Sequence, residues 1–198
     1  MSTNALALYG GFSEPVFHAQ TVFRLLMDGM AKPGTIERVE LDVGQPAPLG
    51  RAAGALALTL CDADTPFWLQ SFFADSPVAE WLAFHTGATR TLEKRDAKFA
   101  FIQASTGICS FELFASGTQE YPDRSATVVI EVTKIGEGRA LALSGPGIKD
   151  VVTVKVDGLP DLFDGIWSTN RALFPRGVDV ILTAGDCLLC LPRTTKIA

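Results

Sequence analysis

The sequence predicts an α/β fold: a single domain over residues 1–198 with helices flanking a mixed β-sheet. Three observations predict it. In the first half, short single strands alternate with helical patterns, as parallel pairing requires. In the second half, strands follow one another closely, in the manner of hairpins. A chain of 198 residues can also bury roughly 70% of its unfolded surface around one core.

The first helix opens at Ser13-Glu14-Pro15, with a capping hydroxyl and a proline close to the first helical position. Ala19, Phe23, Leu26 and Met30 form its expected apolar stripe, and Lys32-Pro33-Gly34 ends it. Residues 35–43 alternate as a half-exposed strand of uncertain register, since Ile36 and Val39 differ in parity. The Ala- and Leu-rich run 52–60 reads as a buried helix on propensity. Phe67-Trp68-Leu69 is a short buried strand, and Ser76-Pro77 starts a helix that runs through Phe84.

Strands are expected over 98–103, 126–132, 139–143 and 151–156, with a short helical or irregular piece over 113–116. Residues 161–174 read as a helix carrying Leu162, Ile166 and Leu173 on one side. The end of the chain is the most informative part. Val178 to Thr183 reads as a core strand, Ala184-Gly185-Asp186 as a hairpin turn, and Cys187 to Leu191 as its returning strand. Pro192 must end that strand, because it has no N–H for the ladder. Arg193 is thereby delivered at the strand's edge.

Composition excludes several function classes. Net charge is −5, and the 17 Lys and Arg form no basic run, so nucleic acid is not the expected ligand. Residues Met1 to Leu8 lack the cationic and apolar regions of a signal peptide. No stretch approaches the length of a membrane span, which makes the cytoplasm the expected compartment. The four cysteines are expected to be reduced. Cys187 and Cys190 have C-x-x-C spacing, but on a strand they point to opposite faces, so no metal is expected there.

Six positions and one histidine have the chemistry of a site. Asp179 interrupts an apolar strand, and if buried must be paired, with Arg193 or Arg176 the nearest cations in sequence. Arg24 lies beside the apolar stripe of the first helix; either it is solvated or it folds under the Pro33-Gly34 turn to offer a planar fork to an anion. Asp62 and Asp64 follow a helix, where carboxylates commonly accept from free turn N–H groups. His85 sits in the last turn of a helix before Gly87, which suits a capping role. Of the two histidines, it is the better general acid or base. Gly145-Pro146-Gly147 is a loop able to offer N–H groups to an anion, although no nucleotide-loop or hydrolase motif occurs.

Five blocks, in order, resemble the PhnH family of the bacterial carbon-phosphorus lyase machinery. They are Phe23-Arg24-Leu25 through Met30-Ala31-Lys32-Pro33-Gly34, Leu58 through Asp62-Ala63-Asp64-Thr65-Pro66-Phe67-Trp68-Leu69, Phe84-His85-Thr86-Gly87-Ala88, Leu143-Ser144-Gly145-Pro146-Gly147-Ile148, and the tail from Phe174 to Thr195. The resemblance implies a fold similar to a reduced form of the pyridoxal-phosphate transferases, without that cofactor. It implies a homodimer that assembles with PhnG, PhnI and PhnJ.

With PhnG, PhnI and PhnL, such a subunit is linked to the transfer of the ribose triphosphate of ATP to an alkylphosphonate. PhnJ then cleaves the carbon-phosphorus bond. Arg24, Asp62, Asp64, His85, Asp179, Arg193 and Thr194 match the family's motifs and are the binding, interface or catalytic candidates. Gly117-Thr118 stands beside Tyr121-Pro122-Asp123-Arg124, a more charged loop than the family pattern implies. A non-catalytic subunit is the favoured expectation, because no nucleophile, metal motif or cofactor lysine stands out. An anion site for a phosphonate or nucleotide competes with it, as does a stand-alone enzyme descended from the transferases.

Overall fold

A six-stranded mixed sheet divides the molecule into two layers of different composition. The computed structural model describes residues 9–108 and 110–198. The expectations placed on Met1–Leu8 and on Cys109 lie outside them. Helix α1 spans Pro15–Ala31, β1 Ile36–Arg38, α2 Arg51–Leu60, β2 Phe67–Leu69, α3 Ser71–Ala74 and α4 Val78–Thr86. There follow β3 (Phe99–Gln103), β4 (Thr127–Glu131), β5 (Lys134–Ser144), β6 (Val152–Asp157), α5 (Phe163–Ala172), β7 (Asp179–Ala184), β8 (Cys187–Leu191) and β9 (Lys196–Ile197).

The large sheet has the order β1-β8-β7-β4-β3-β2. Strands β2, β3, β4 and β7 are parallel, whereas β8 is antiparallel to both β7 and β1. A smaller antiparallel sheet, β6-β5-β9, is formed by the later strands. The mixed-sheet α/β architecture is therefore as the sequence predicts.

Residue parity assigns each side chain of the central strands to one of two cores. Val129, Ile181, Leu188 and Cys190 face the layer of α1, α2 and α4. Val128, Ile130, Val180, Leu182, Leu189 and Leu191 face the small sheet and α5. With both faces covered, β8 tolerates an unbroken apolar run and β7 the run Val180-Ile181-Leu182. The same parity puts Cys187 and Cys190 on opposite faces, and both are free. Burial pushes the Cys190 thiol up to about 12.

Four expectations need correction. The strand expected over 35–43 is only Ile36–Arg38. Beyond it Val39 leaves the ladder and donates its N–H to the carbonyl of Asp186 in the β7–β8 turn (2.8 Å). Helix α1 buries Val22, Leu26 and Gly29, so the expected stripe through Phe23 is rotated and Phe23 stays 47% exposed. Its N-cap is Glu14, with no side-chain cap bond from Ser13. Helix α5 buries Phe163, Trp167 and Asn170, while of the expected residues Leu162 is exposed, Ile166 packs against the core only half-buried and Leu173 is half-buried. There the larger aromatic faces win the core, and Trp167 satisfies its indole N–H on the carbonyl of Thr195 (2.9 Å).

Candidate functional site

Between β8 and β9, one arginine ties the C-terminal segment to the start of β7 and to the loop over residues 122–125. Asp179 begins β7 because the preceding connection is clamped. Asn170, buried on α5, both donates to and accepts from the backbone of Val178 at 2.9 Å. Gly177 lies at φ +115°, its missing β-carbon leaving room for the carbonyl of Asn170. Pro192 stops β8, and the N–H of Arg193 then donates to the Asp179 carboxylate (2.8 Å). The Arg193 guanidinium meets the same carboxylate through Nε (3.1 Å) and Nη2 (2.5 Å).

Its remaining donors are also used. Nη2 reaches the Ser125 hydroxyl (2.6 Å), while Nη1 reaches the carbonyls of Pro122 (2.7 Å) and Pro175 (3.4 Å). All five N–H groups thus have protein acceptors, and the fork geometry of guanidinium suits this crossing of four segments. The pair is largely withdrawn from solvent, with side-chain exposures of 13% for Arg193 and 23% for Asp179. Saturated in this way, Arg193 has no donor left for a ligand; Arg176 is exposed and takes no part.

Thr194 is held at a different place. It lines a shallow cavity of about 210 Å³ together with Pro146, Arg171, Phe174 and Arg193. The other candidates do not converge on it. Arg24 is exposed on α1 beside Phe23, away from the Pro33-Gly34 turn in its hydrogen bonding, since it forms no bond or ion pair among the described residues.

Asp62 closes its own turn, its Oδ1 accepting from the N–H of Asp64 (3.0 Å) and the hydroxyl of Thr65 (3.0 Å). Asp64 is exposed. His85 packs its ring against Trp81 and Phe84, close to Gly11. Its Nε2 is buried without a hydrogen-bond partner among the described residues, so it caps none of their carbonyls through that nitrogen. Gly87 takes the left-handed position after α4, at φ +72°.

Two chemically active groups escaped sequence reading. Glu131 ends β4 beside the start of α2, where its carboxylate accepts the N–H of Gly50 (3.2 Å). Burial raises it from the ordinary 4.5 to about 7, and the Gly50 N–H opposes that shift. Nothing in the alternation of β4 marks Glu131, because its environment comes from the Gly50 segment 81 residues earlier. Arg171 is the second. Its place after the Phe163, Trp167, Asn170 stripe was readable once the α5 face was set correctly.

No group of three or more metal-ligating side chains gathers among the described residues. No described helix is long and apolar enough to cross a membrane. Residues 10–198 match the family model described as bacterial phosphonate metabolism protein (PhnH). The chain is 50% identical over 197 residues to the alpha-D-ribose 1-methylphosphonate 5-triphosphate synthase subunit PhnH of Rhizobium meliloti (strain 1021), covering 100% of this chain and 98% of that one. It is 32% identical over 188 residues to HtxG of Stutzerimonas stutzeri, a protein named provisionally as a C-P lyase subunit, covering 90% of this chain and 85% of HtxG. With the fold, the ordered motif blocks and a match from residue 10 to the last residue in agreement, the chain belongs to the PhnH family of bacterial phosphonate-metabolism proteins.

Proposed function

We propose that the chain is a non-catalytic subunit of the carbon-phosphorus lyase system. In this reading it is a single domain of 198 residues that acts with PhnG, PhnI and PhnL. Together they transfer the ribose triphosphate of ATP to an alkylphosphonate in the cytoplasm. The full-length likeness to a synthase subunit supports the reaction. The observation that carries the subunit role is an apolar row on α1 that the described residues leave uncovered.

Val16, Phe23 and Met27 recur there at spacings of seven and four, with Phe17 beside them, and each is about half exposed or more (77%, 47%, 53% and 66%). Exposed aromatic and methionine side chains in a contiguous row are the composition of an interface core. We assign this face to the homodimer, with PhnJ and PhnI meeting other surfaces.

Arg193 and Asp179 serve in this reading as the brace that positions Thr194, and Arg24 as the polar rim of the α1 face. Asp62, Asp64 and His85 are turn and packing residues. The fold is taken to descend from pyridoxal-phosphate transferases. A stand-alone transferase-like enzyme finds little support, as none of the seven lysines is buried to form an internal aldimine. Copurifying the tagged chain from phosphonate-grown cells tests the reading. PhnG, PhnI, PhnJ and PhnL are expected with it, and light scattering of the isolated chain should return about twice 21.2 kDa. Recovery of the chain alone, at the monomer mass, would overturn the proposal.

A further inference from the structure

Three cations with no acidic partner among the described residues surround one glycine-proline loop. Gly145-Pro146-Gly147 follows β5, and Gly147, at φ +82°, approaches the carbonyl of Ala31 so closely that no β-carbon fits. The loop is thereby pinned to the C-terminal end of α1. On one side of it lies a cavity of about 250 Å³ whose lining includes Lys32, Lys149, Thr35 and Gly147. On the other lies the cavity of about 210 Å³ holding Arg171, Thr194 and Phe174. Pro146 and Gly147 are consecutive, so the two cavities adjoin across a single peptide.

Neither lining contains a carboxylate. Arg193 is neutralised by Asp179, whereas Lys32, Lys149 and Arg171 enter none of the ion pairs among the described residues. The Nε of Arg171 is also out of solvent with no acceptor. A donor left in that state costs free energy that the fold itself does not return, and an external oxygen would recover it. The local charge runs against that of the chain, which is −5 overall. A positive concavity in an acidic protein concentrates anions at that place alone.

We propose that this loop is the centre of a binding site for an oligophosphate ester. One phosphoryl group sits against Arg171 and the Thr194 hydroxyl, and the next crosses Pro146-Gly147 to Lys32 and Lys149. Phe174, 62% exposed at the rim, offers its ring face to a flat group carried by the ester. A single phosphate reaches one cavity; only a chain of them engages both. The choice of ester class rests on the synthase reading above, but the site is a property of the isolated chain.

Calorimetric titration of the isolated protein with sodium tripolyphosphate and with inorganic phosphate, at physiological ionic strength, tests the site. Tripolyphosphate is expected to bind about tenfold more tightly or better. Lys149→Gln and Arg171→Gln should each weaken it about fivefold or more. Lys134→Gln, in an exposed pair with Glu137 at the far end of β5, should leave it unchanged. Equal affinity for the two anions, absence of binding, or an equal loss in Lys134→Gln would each overturn the proposal. Lys149 is exposed, so its variant decides the matter even if Arg171→Gln fails to fold. Copurification is untouched by these outcomes, which separates failure of this site from failure of the subunit reading.

Discussion

Arg193 shows how a residue recognised as a site candidate can be wholly consumed by structure. Its guanidinium is bonded to Asp179, Ser125, Pro122 and Pro175. Arg193→Ala leaves a mostly buried carboxylate with only the backbone N–H of residue 193 and no cation, and it leaves two carbonyls without their donor. We expect a loss of about 3 to 5 kcal/mol, read as a lowered midpoint in urea unfolding. A midpoint unchanged within error would mean that the pair is not structural.

Glu131 is the second test at this scale. Its folded carboxyl titrates near 7 and its ordinary value is 4.5, so the folded state holds the proton more tightly than the unfolded one. Stability therefore falls as pH rises from about 4.5 through 7, by about 2 to 3 kcal/mol. Glu131→Gln removes that slope. Urea midpoints at pH 5 and pH 8 should differ less for the variant than for the native chain, and equal slopes would refute the assignment. Asp179 was legible as a residue needing a partner, because a carboxylate in an apolar strand has few alternatives. Glu131 was not, since its low-dielectric surroundings are assembled from β4 and the start of α2.

At the scale of elements, α1 was found correctly but turned wrongly. Ala19, Phe23, Leu26 and Met30 satisfy helical spacing, and so do Val22, Leu26 and Gly29. The structure chooses the second set because Gly29 lets α1 approach Cys190 of β8 closely. Hydrophobicity alone cannot rank two apolar faces on one helix, and the face that loses is left for a partner. Phe23→Asp with Met27→Asp should thus leave the monomer folded, with an unchanged circular dichroism spectrum, while light scattering moves from the dimer to the monomer mass. A double variant that stays dimeric would exclude α1 from the interface. Helix α5 repeats the lesson: of Leu162, Ile166 and Leu173, Leu162 is exposed and the other two only half-buried, because Phe163 and Trp167 carry more surface to bury.

For the molecule as a whole, the alternation of strands and helices was readable, and so was the terminal hairpin with its Gly185-Asp186 turn. The division into two sheets was not. Sequence marks β5 and β6 as strands, but their departure from the large sheet depends on where the loops leave β4 and β9 arrives. The geometry of the candidate residues was not readable either, and they scatter over α1, the α2–β2 turn, α4 and the tail.

One topological fact bears on how the protein is made. Strand β8 lies between β1 and β7, so the partner of Ile36–Arg38 is Cys187–Leu189, near the end of the chain. On the ribosome, β1 waits for roughly 150 further residues, on the order of 10 s or more of synthesis. Until then β1 has no partner and β4 waits with an open edge for β7, and the greasy faces of both layers lack their keystone. A product truncated before Cys187 lacks the strand that joins β1 to β7 and cannot close its large sheet, which makes β8 a checkpoint on assembly rather than one more strand added to a finished core.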